Sequence, residues 1–261
     1  MSDVARPSEG VDIRKMKLDE VVRYQNDLLR ISEFNDYPNA LNGLQLENSG
    51  TVDKVAAAVD ACEAVLRMAV EADANLLIVH HGLFWGGLQN VTGAHYRKLK
   101  LAIENDLAIY SVHLPLDAHP QSGNNVLLCN ALDLPQPRKP FLEIGLQVEA
   151  SVDRETLVHR LETAVGGKVH LAPGGPPVTR KIGVVTGAAG GAIFKAAAEG
   201  VDTFITGEGP HWSFTAAEEL HVNILYAGHY ATEVFGVQAL AKSLEARFGL
   251  PWMFLHHPTG L

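Results

Sequence analysis

The sequence is short of several things, and each shortage closes a class of function. Only two cysteines, Cys62 and Cys129, occur in 261 residues. That is too few for a disulfide scaffold or a thiolate metal site, and both fall in apolar helical patterns that suit free thiols of a reducing compartment. Positive charge is in deficit: 21 Lys and Arg stand against 30 Asp and Glu, a net charge of -9. Nucleic-acid binders carry a basic footprint, so nucleic acid is not an expected partner. No apolar run approaches the ~18 residues of a membrane span, and Met1 to Lys15 is polar without the apolar segment of a signal peptide. The expected setting is the cytoplasm, with no membrane partner. The glycines at Gly187 to Gly191 and Gly207 to Gly209 lack the Lys-Ser/Thr of a phosphate loop, and no Gly-x-Ser-x-Gly elbow marks a serine hydrolase.

What the chain does contain is a phrase used twice. Ile109-Tyr110-Ser111-Val112-His113-Leu114-Pro115-Leu116-Asp117 matches Leu225-Tyr226-Ala227-Gly228-His229-Tyr230-Ala231-Thr232-Glu233. Upstream, Leu76 to Gly82 matches Thr203 to Gly209, and Lys54 is as far from Trp85 as Lys181 is from Trp212. Continuous apolar runs at 55–59, 76–79 and 108–112 read as buried strands, separated by helical patterns at 63–72 and 96–105. The order returns from Lys181, with strands at 181–185, 203–206 and 224–227 and a closing helix from Thr232 to Phe248. Strand alternating with helix implies a largely parallel sheet. The expected fold is α/β: two related halves from an internal duplication, 16–137 and 138–261, with mostly parallel sheets and a metal site at their interface. Pro135, Pro137 and Pro140 mark the boundary.

Ligands in open α/β sheets gather beyond the carboxyl ends of the strands. His80, His81, His113, Glu208 and His229 all fall at such ends. Imidazole and carboxylate without thiolate form the ligand set of a hydrolytic metal centre. Consecutive strand side chains point to opposite faces, so His80 and His81 suit two ions side by side if Gly82 lets the chain bend there. A solvated strand end is the alternative. His229 and Glu233 are neighbours one helical turn apart and can reach one ion together, whereas Pro115 requires His113 and Asp117 to converge through a loop. Either pair alone could equally be a salt bridge or a helix cap.

On these residues the chain resembles the Nif-three-like family, the GTP cyclohydrolase I type 2 homologues. The matching phrases are Asn42-Gly43-Leu44-Gln45, Val79-His80-His81-Gly82, His113-Leu114-Pro115-Leu116-Asp117, Gly123-Asn124-Asn125, Thr206-Gly207-Glu208 and Gly228-His229-Tyr230-Ala231-Thr232-Glu233. They span nearly the whole chain. The resemblance implies a dinuclear centre held by His80, His81, Asp117, His229 and Glu233, and a ring-shaped homohexamer with the sites facing an internal cavity. It also implies the short form of the family, without the domain that some relatives insert between the halves. One departure is Trp212 after His211, where many relatives carry a second histidine.

Two functional classes follow. The first is a metal-dependent hydrolase acting on a nucleotide-like substrate such as GTP. Its two divalent ions (zinc, manganese, iron, cobalt or nickel) would be bridged by Glu233, with His113 or Glu208 shuttling protons. The second is a non-catalytic metal-binding scaffold or metal chaperone.

Overall fold

The apolar runs are strands because each is buried on both faces. In the computed structural model, which describes residues 15–261, Val55–Asp60, Leu76–His81 and Ala108–Ser111 pair in parallel, with Leu76 opposite Ala108 and Asp60 opposite His81. Their side chains alternate between two cores. Val55, Ala57, Leu76 and Ile78 meet the helix Leu18–Leu29 and the closing helix His229–Phe248 through Val21, Val237 and Leu240. Ala56, Ala58, Leu77 and Val79 meet the helix Glu63–Glu71 through Val65 and Leu66, and the helix Gly93–Glu104 through Ala102. Helices on both faces are what a parallel sheet requires.

Three strands of the other sheet, Val178–Val184, Thr203–Thr206 and Asn223–Tyr226, are also parallel. Ile182, Val184, Ile205 and Leu225 pack on the helices Asn124–Ala131 and Arg154–Val165, and Phe204 and Ile224 pack on Ile193–Ala198 and Trp212–Glu219.

The sheets are mixed, which corrects the expectation of mostly parallel pairing. Gly43–Leu46 runs antiparallel to Ala108–Ser111 at one edge of the five-stranded sheet. In the six-stranded sheet Gly145–Asp153, Lys139–Phe141 and His170–Pro173 are all antiparallel additions. Gly145–Asp153 follows Lys139–Phe141 through a turn and so runs against it. The helix Arg154–Val165 then carries the chain to His170–Pro173 at the far edge, in the same direction as Gly145–Asp153 and opposite to the three central strands. The closing helix and the strand Trp252–Phe254 return to the first sheet, where the strand pairs with Val55–Asp60. The polar N-terminal stretch lies outside the described residues except for Lys15. Both cysteines are free. Cys62 stands at the start of a helix, and burial pushes the Cys129 thiol up to about 12. Among the described residues no helix is long and apolar enough to cross a membrane.

Two asparagines join the sheets. Asn125 Nδ2 donates to the carbonyls of Asp117 and Ile144, and its Oδ1 accepts the Thr186 N–H at 2.9 Å. Asn124 donates to Asp117 Oδ1 at 2.7 Å and accepts from Gly236 N in the closing helix at 2.6 Å. Both asparagines are buried, so a lost partner is not replaced by water. Asn125→Ala is expected to lower unfolding stability by about 2 kcal/mol, since it leaves the Thr186 N–H unsatisfied. Chemical denaturation reads this, and a change within error would contradict the joining role.

Candidate metal centre

The parallel strands end together, and their ends carry imidazoles. His80 and His81 both lie within the strand Leu76–His81, and Asp60 ends the neighbouring strand beside His81. His113 lies just past the end of Ala108–Ser111. From the other sheet, His229 opens the closing helix after the tight turn at Gly228, and Glu233 lies one turn further on. Asp117 arrives differently from expectation. Leu114–Asp117 is a short helix rather than a loop, because Pro115 sits in its first turn, where a missing N–H costs nothing.

The structure brings His80, His81, His113, Asp117, His229 and Glu233 into one cluster, buried except for the half-buried His229. The rings of His80 and His81 are 4.9 Å apart despite being neighbours on a strand, and His81 lies 5.3 Å from His229. His80 Nε2 is 3.4 Å from Asp117 Oδ2 and 3.6 Å from Glu233 Oε1. Glu233 Oε2 is 3.6 Å from His81 Nε2 and 3.1 Å from His229 Nε2.

Each of the four imidazoles is held from behind. His80 Nδ1 donates to the Val112 carbonyl at 2.9 Å, His81 Nδ1 to Asp60 at 2.9 Å, His113 Nδ1 to Asp36 at 2.9 Å and His229 Nδ1 to Glu208 at 2.8 Å. With Nδ1 occupied, each ring has Nε2 left to face the centre. Glu208, expected as a proton shuttle, is thus engaged on the outer side of His229. Sequence reasoning missed Asp36 and Asp60. Asp60 ends a strand parallel to the His81 strand, which was a readable signal; Asp36 lies in an irregular segment and gave none. Asp36 also accepts from Asn42 Nδ2 and the Leu114 N–H, and Asn42 Oδ1 accepts the His113 N–H at 2.7 Å. Burial would raise the Asp36 carboxyl, but these hydrogen bonds, led by that of His113, hold it below the ordinary value.

The residues present fit divalent cations. His80 Nε2, His81 Nε2 and Glu233 Oε2 are buried without a hydrogen-bond partner, an arrangement that is costly unless a cation shares their lone pairs. Two overlapping groups of three could each hold an ion: His80, His81 and His113, and His81, His229 and Glu233. These groups are consistent with two divalent-ion sites per chain. Gly187, at φ +70°, closes the wall: a Cβ there would overlap Glu233 Oε1, and its N–H is fixed by Thr232 Oγ1. A cleft of about 710 Å³ opens over the cluster, walled by Tyr37 and Trp85 on one side and Leu142, Ile144 and Val185 on another.

A model of the Duf34/NIF3 (NGG1p interacting factor 3) family matches residues 16–259. A GTP cyclohydrolase 1 type 2 homolog of Deinococcus radiodurans is 42% identical, covering 98% of this chain and 98% of its own. A homolog of the same name from Archaeoglobus fulgidus is 37% identical over 94% of this chain and 100% of its own. Among solved structures, a protein of Thermus thermophilus matches with a TM-score of 0.88 at 42% identity, over 94% of this chain and 100% of its own. Reduced HcgD from Methanocaldococcus jannaschii matches with a TM-score of 0.85 at 25% identity, over the same shares of the two chains.

Without metal the cluster holds protons instead. Burial alone would lower the His80 pKa, but the Asp117 and Glu233 carboxylates outweigh it and raise it well above its ordinary value. Burial likewise opposes His229, yet Glu233 and Glu208 raise it to about 9. Burial would raise Glu233, and the imidazoles around it depress it instead. A raised imidazole contributes stability that is complete below its unfolded value of about 6.5 and is lost as pH climbs through the folded value. The depressed carboxylate contributes stability above about 4.5, lost only as pH falls through its low folded value. Metal-free protein should therefore lose thermal stability between about pH 6.5 and 9. A divalent ion, which replaces protons on Nε2, should reverse that loss. Thermal melts of chelator-stripped protein test this, and a melting temperature that rises through the window would contradict it.

The fit at Gly187 gives a second expectation. Gly187→Ala should displace the Glu233 carboxylate and purify with less than half the wild-type metal content. A full complement of metal would show that Glu233 can move without loss of the site.

Proposed function

The chain belongs to the Duf34/NIF3 family, and on that premise we propose that it is a dinuclear metal-dependent hydrolase acting on a nucleotide-like substrate. The observation that carries this reading is the cleft over the ligand cluster. A closed cage suits structure or storage, whereas ligands at the base of a cleft leave room for water and substrate.

His80, His81, Asp117, His229 and Glu233 would hold the two ions. Glu233 would serve both, because Oε1 faces His80 while Oε2 faces His81 and His229. When bound, the ions supply Lewis acidity that makes water nucleophilic near neutral pH. With Asp117, whose Oδ2 lies 3.4 Å from His80 Nε2, taking the place of His113 as ligand, His113 would carry the proton. Asp36 and Asn42 fix its ring and backbone, so its Nε2 takes a proton from the attacking water and returns it to the leaving group. Glu208 orients His229 from behind. Trp85 and Tyr37 offer aromatic faces to a planar ring, with Lys195 available on the cleft wall for an anionic group. On GTP, one water would add at C8 of the guanine and open the C8–N9 bond, and a second water would hydrolyse the resulting formamide to release formate and leave the amine.

The reading extends to organisation. The halves 16–137 and 138–261 would be copies of one α/β unit, the second returning its closing helix to the first sheet. The protein would work as a ring-shaped homohexamer in the cytoplasm.

Metal-loaded protein incubated with GTP should release formate. Glu233→Gln should lose both ions together, as read by elemental analysis, and lower turnover at least a hundredfold. Two ions per chain in Glu233→Gln would overturn the shared role of that carboxylate. Wild-type protein with both ions and no formate would remove GTP as substrate. If no other nucleotide is hydrolysed either, the non-catalytic scaffold or chaperone reading takes its place.

A further inference from the structure

A second cavity of about 490 Å³ takes no part in the chemistry above. It is walled by the rings of His170, Phe214 and Tyr226, with Glu208, Pro210 and His211 completing it. The His170 ring lies 6.1 Å from Tyr226 and 5.6 Å from Phe214 at shallow angles, so these aromatic groups form one continuous wall. Glu208 stands between this cavity and the metal cleft. Its Oε1 holds His229, and its side chain is 39% exposed.

Two of the polar groups facing this cavity, Tyr226 and Glu208, offer only acceptors, beside the imidazoles of His170 and His211. Ser213 has a single hydroxyl hydrogen, and its oxygen donates to the Pro210 carbonyl at 2.6 Å. The 2.7 Å contact between Ser213 and Tyr226 must then be donated by the phenol, so Tyr226 offers its environment only lone pairs. Glu208 Oε2, the oxygen not bonded to His229, is an acceptor too. Among the described residues no lysine or arginine lines the wall. Aromatic faces and a carboxylate with no resident cation suit a positively charged planar group.

We propose that this cavity binds a planar nitrogenous cation, of the amidinium, guanidinium or protonated amino-heterocycle class. Its N–H groups meet Glu208 Oε2 and the Tyr226 oxygen, and its face lies on the aromatic wall. Glu208 also fixes His229, so occupancy of the cavity and occupancy of the metal centre influence one another. This coupling rests on the reading of His229 as a metal ligand; the binding itself does not. By linkage the influence runs equally in both directions.

Benzamidine is the probe, with benzamide and benzoate as neutral and anionic controls of the same shape. Calorimetric titration of metal-loaded protein should find benzamidine at least tenfold tighter than either control. Glu208→Gln keeps an acceptor for His229 but removes the charge, and should weaken benzamidine at least tenfold. Tyr226→Phe keeps the ring, removes one acceptor and should weaken it severalfold. Equal affinity for benzamidine and benzamide, or an unchanged affinity in Glu208→Gln, would overturn the cation site. Chelator-stripped protein should bind benzamidine with an affinity at least threefold different from that of loaded protein, and equal affinities would overturn the coupling. Hydrolysis enters none of these readouts, so failure of the GTP assay and failure of this proposal are separate results.

Discussion

The acceptor behind each imidazole is the constraint on which the rest depends. A histidine ring can rotate and can carry its proton on either nitrogen, so a gathering of such side chains at strand ends does not by itself make a site. The Val112 carbonyl, Asp60, Asp36 and Glu208 remove that freedom by engaging Nδ1 of His80, His81, His113 and His229. What remains is a set of Nε2 atoms facing two buried carboxylates, with His80 Nε2, His81 Nε2 and Glu233 Oε2 left without partners. Such an arrangement is unfavourable as an empty polar core and favourable around cations.

Holding that cluster fixed requires that the two sheets not slide against each other. The Asn124 and Asn125 side chains meet this need by reaching from one short helix to Asp117, Thr186 and the closing helix at once. Gly187 meets it sterically, since only a residue without Cβ lets the turn after Val178–Val184 approach the Glu233 carboxylate. Gly82 plays a matching part in the first sheet. The Gln45 amide occupies the space a Cβ would fill there, and it accepts the Leu83 N–H at 2.7 Å. Phrases that in the sequence were only motifs, Asn42 to Gln45 and Gly123 to Asn125, are thus the fasteners of the site.

Much of the fold was legible because buried parallel strands are written as uninterrupted apolar runs. Leu76 to Val79 and Thr203 to Thr206 could be read as strands, and their polar ends as a site, from one-dimensional pattern alone. The antiparallel additions were harder. His170–Pro173 and Gly43–Leu46 are short and mixed in polarity, and their direction is set by the connection that delivers them, a helix in the case of His170–Pro173, rather than by their own residues. Leu114–Asp117 was misread because proline was weighed as a helix breaker, when in the first turn it is tolerated.

By itself the sequence determined which residues could ligate, since imidazole and carboxylate at strand ends are chemical facts of the chain. It also determined that the strands would be covered on both faces. Only the tertiary structure decided which nitrogen of each histidine faces the centre, that Asp36 and Asp60 stand behind two of them, and that Glu208 bonds to the outer nitrogen of His229. Those assignments depend on contacts between residues far apart in the chain, Asp36 with His113 and Asn124 with Gly236 among them. Local pattern carries the periodicity of an element, but only packing fixes the direction in which a side chain at its end will point.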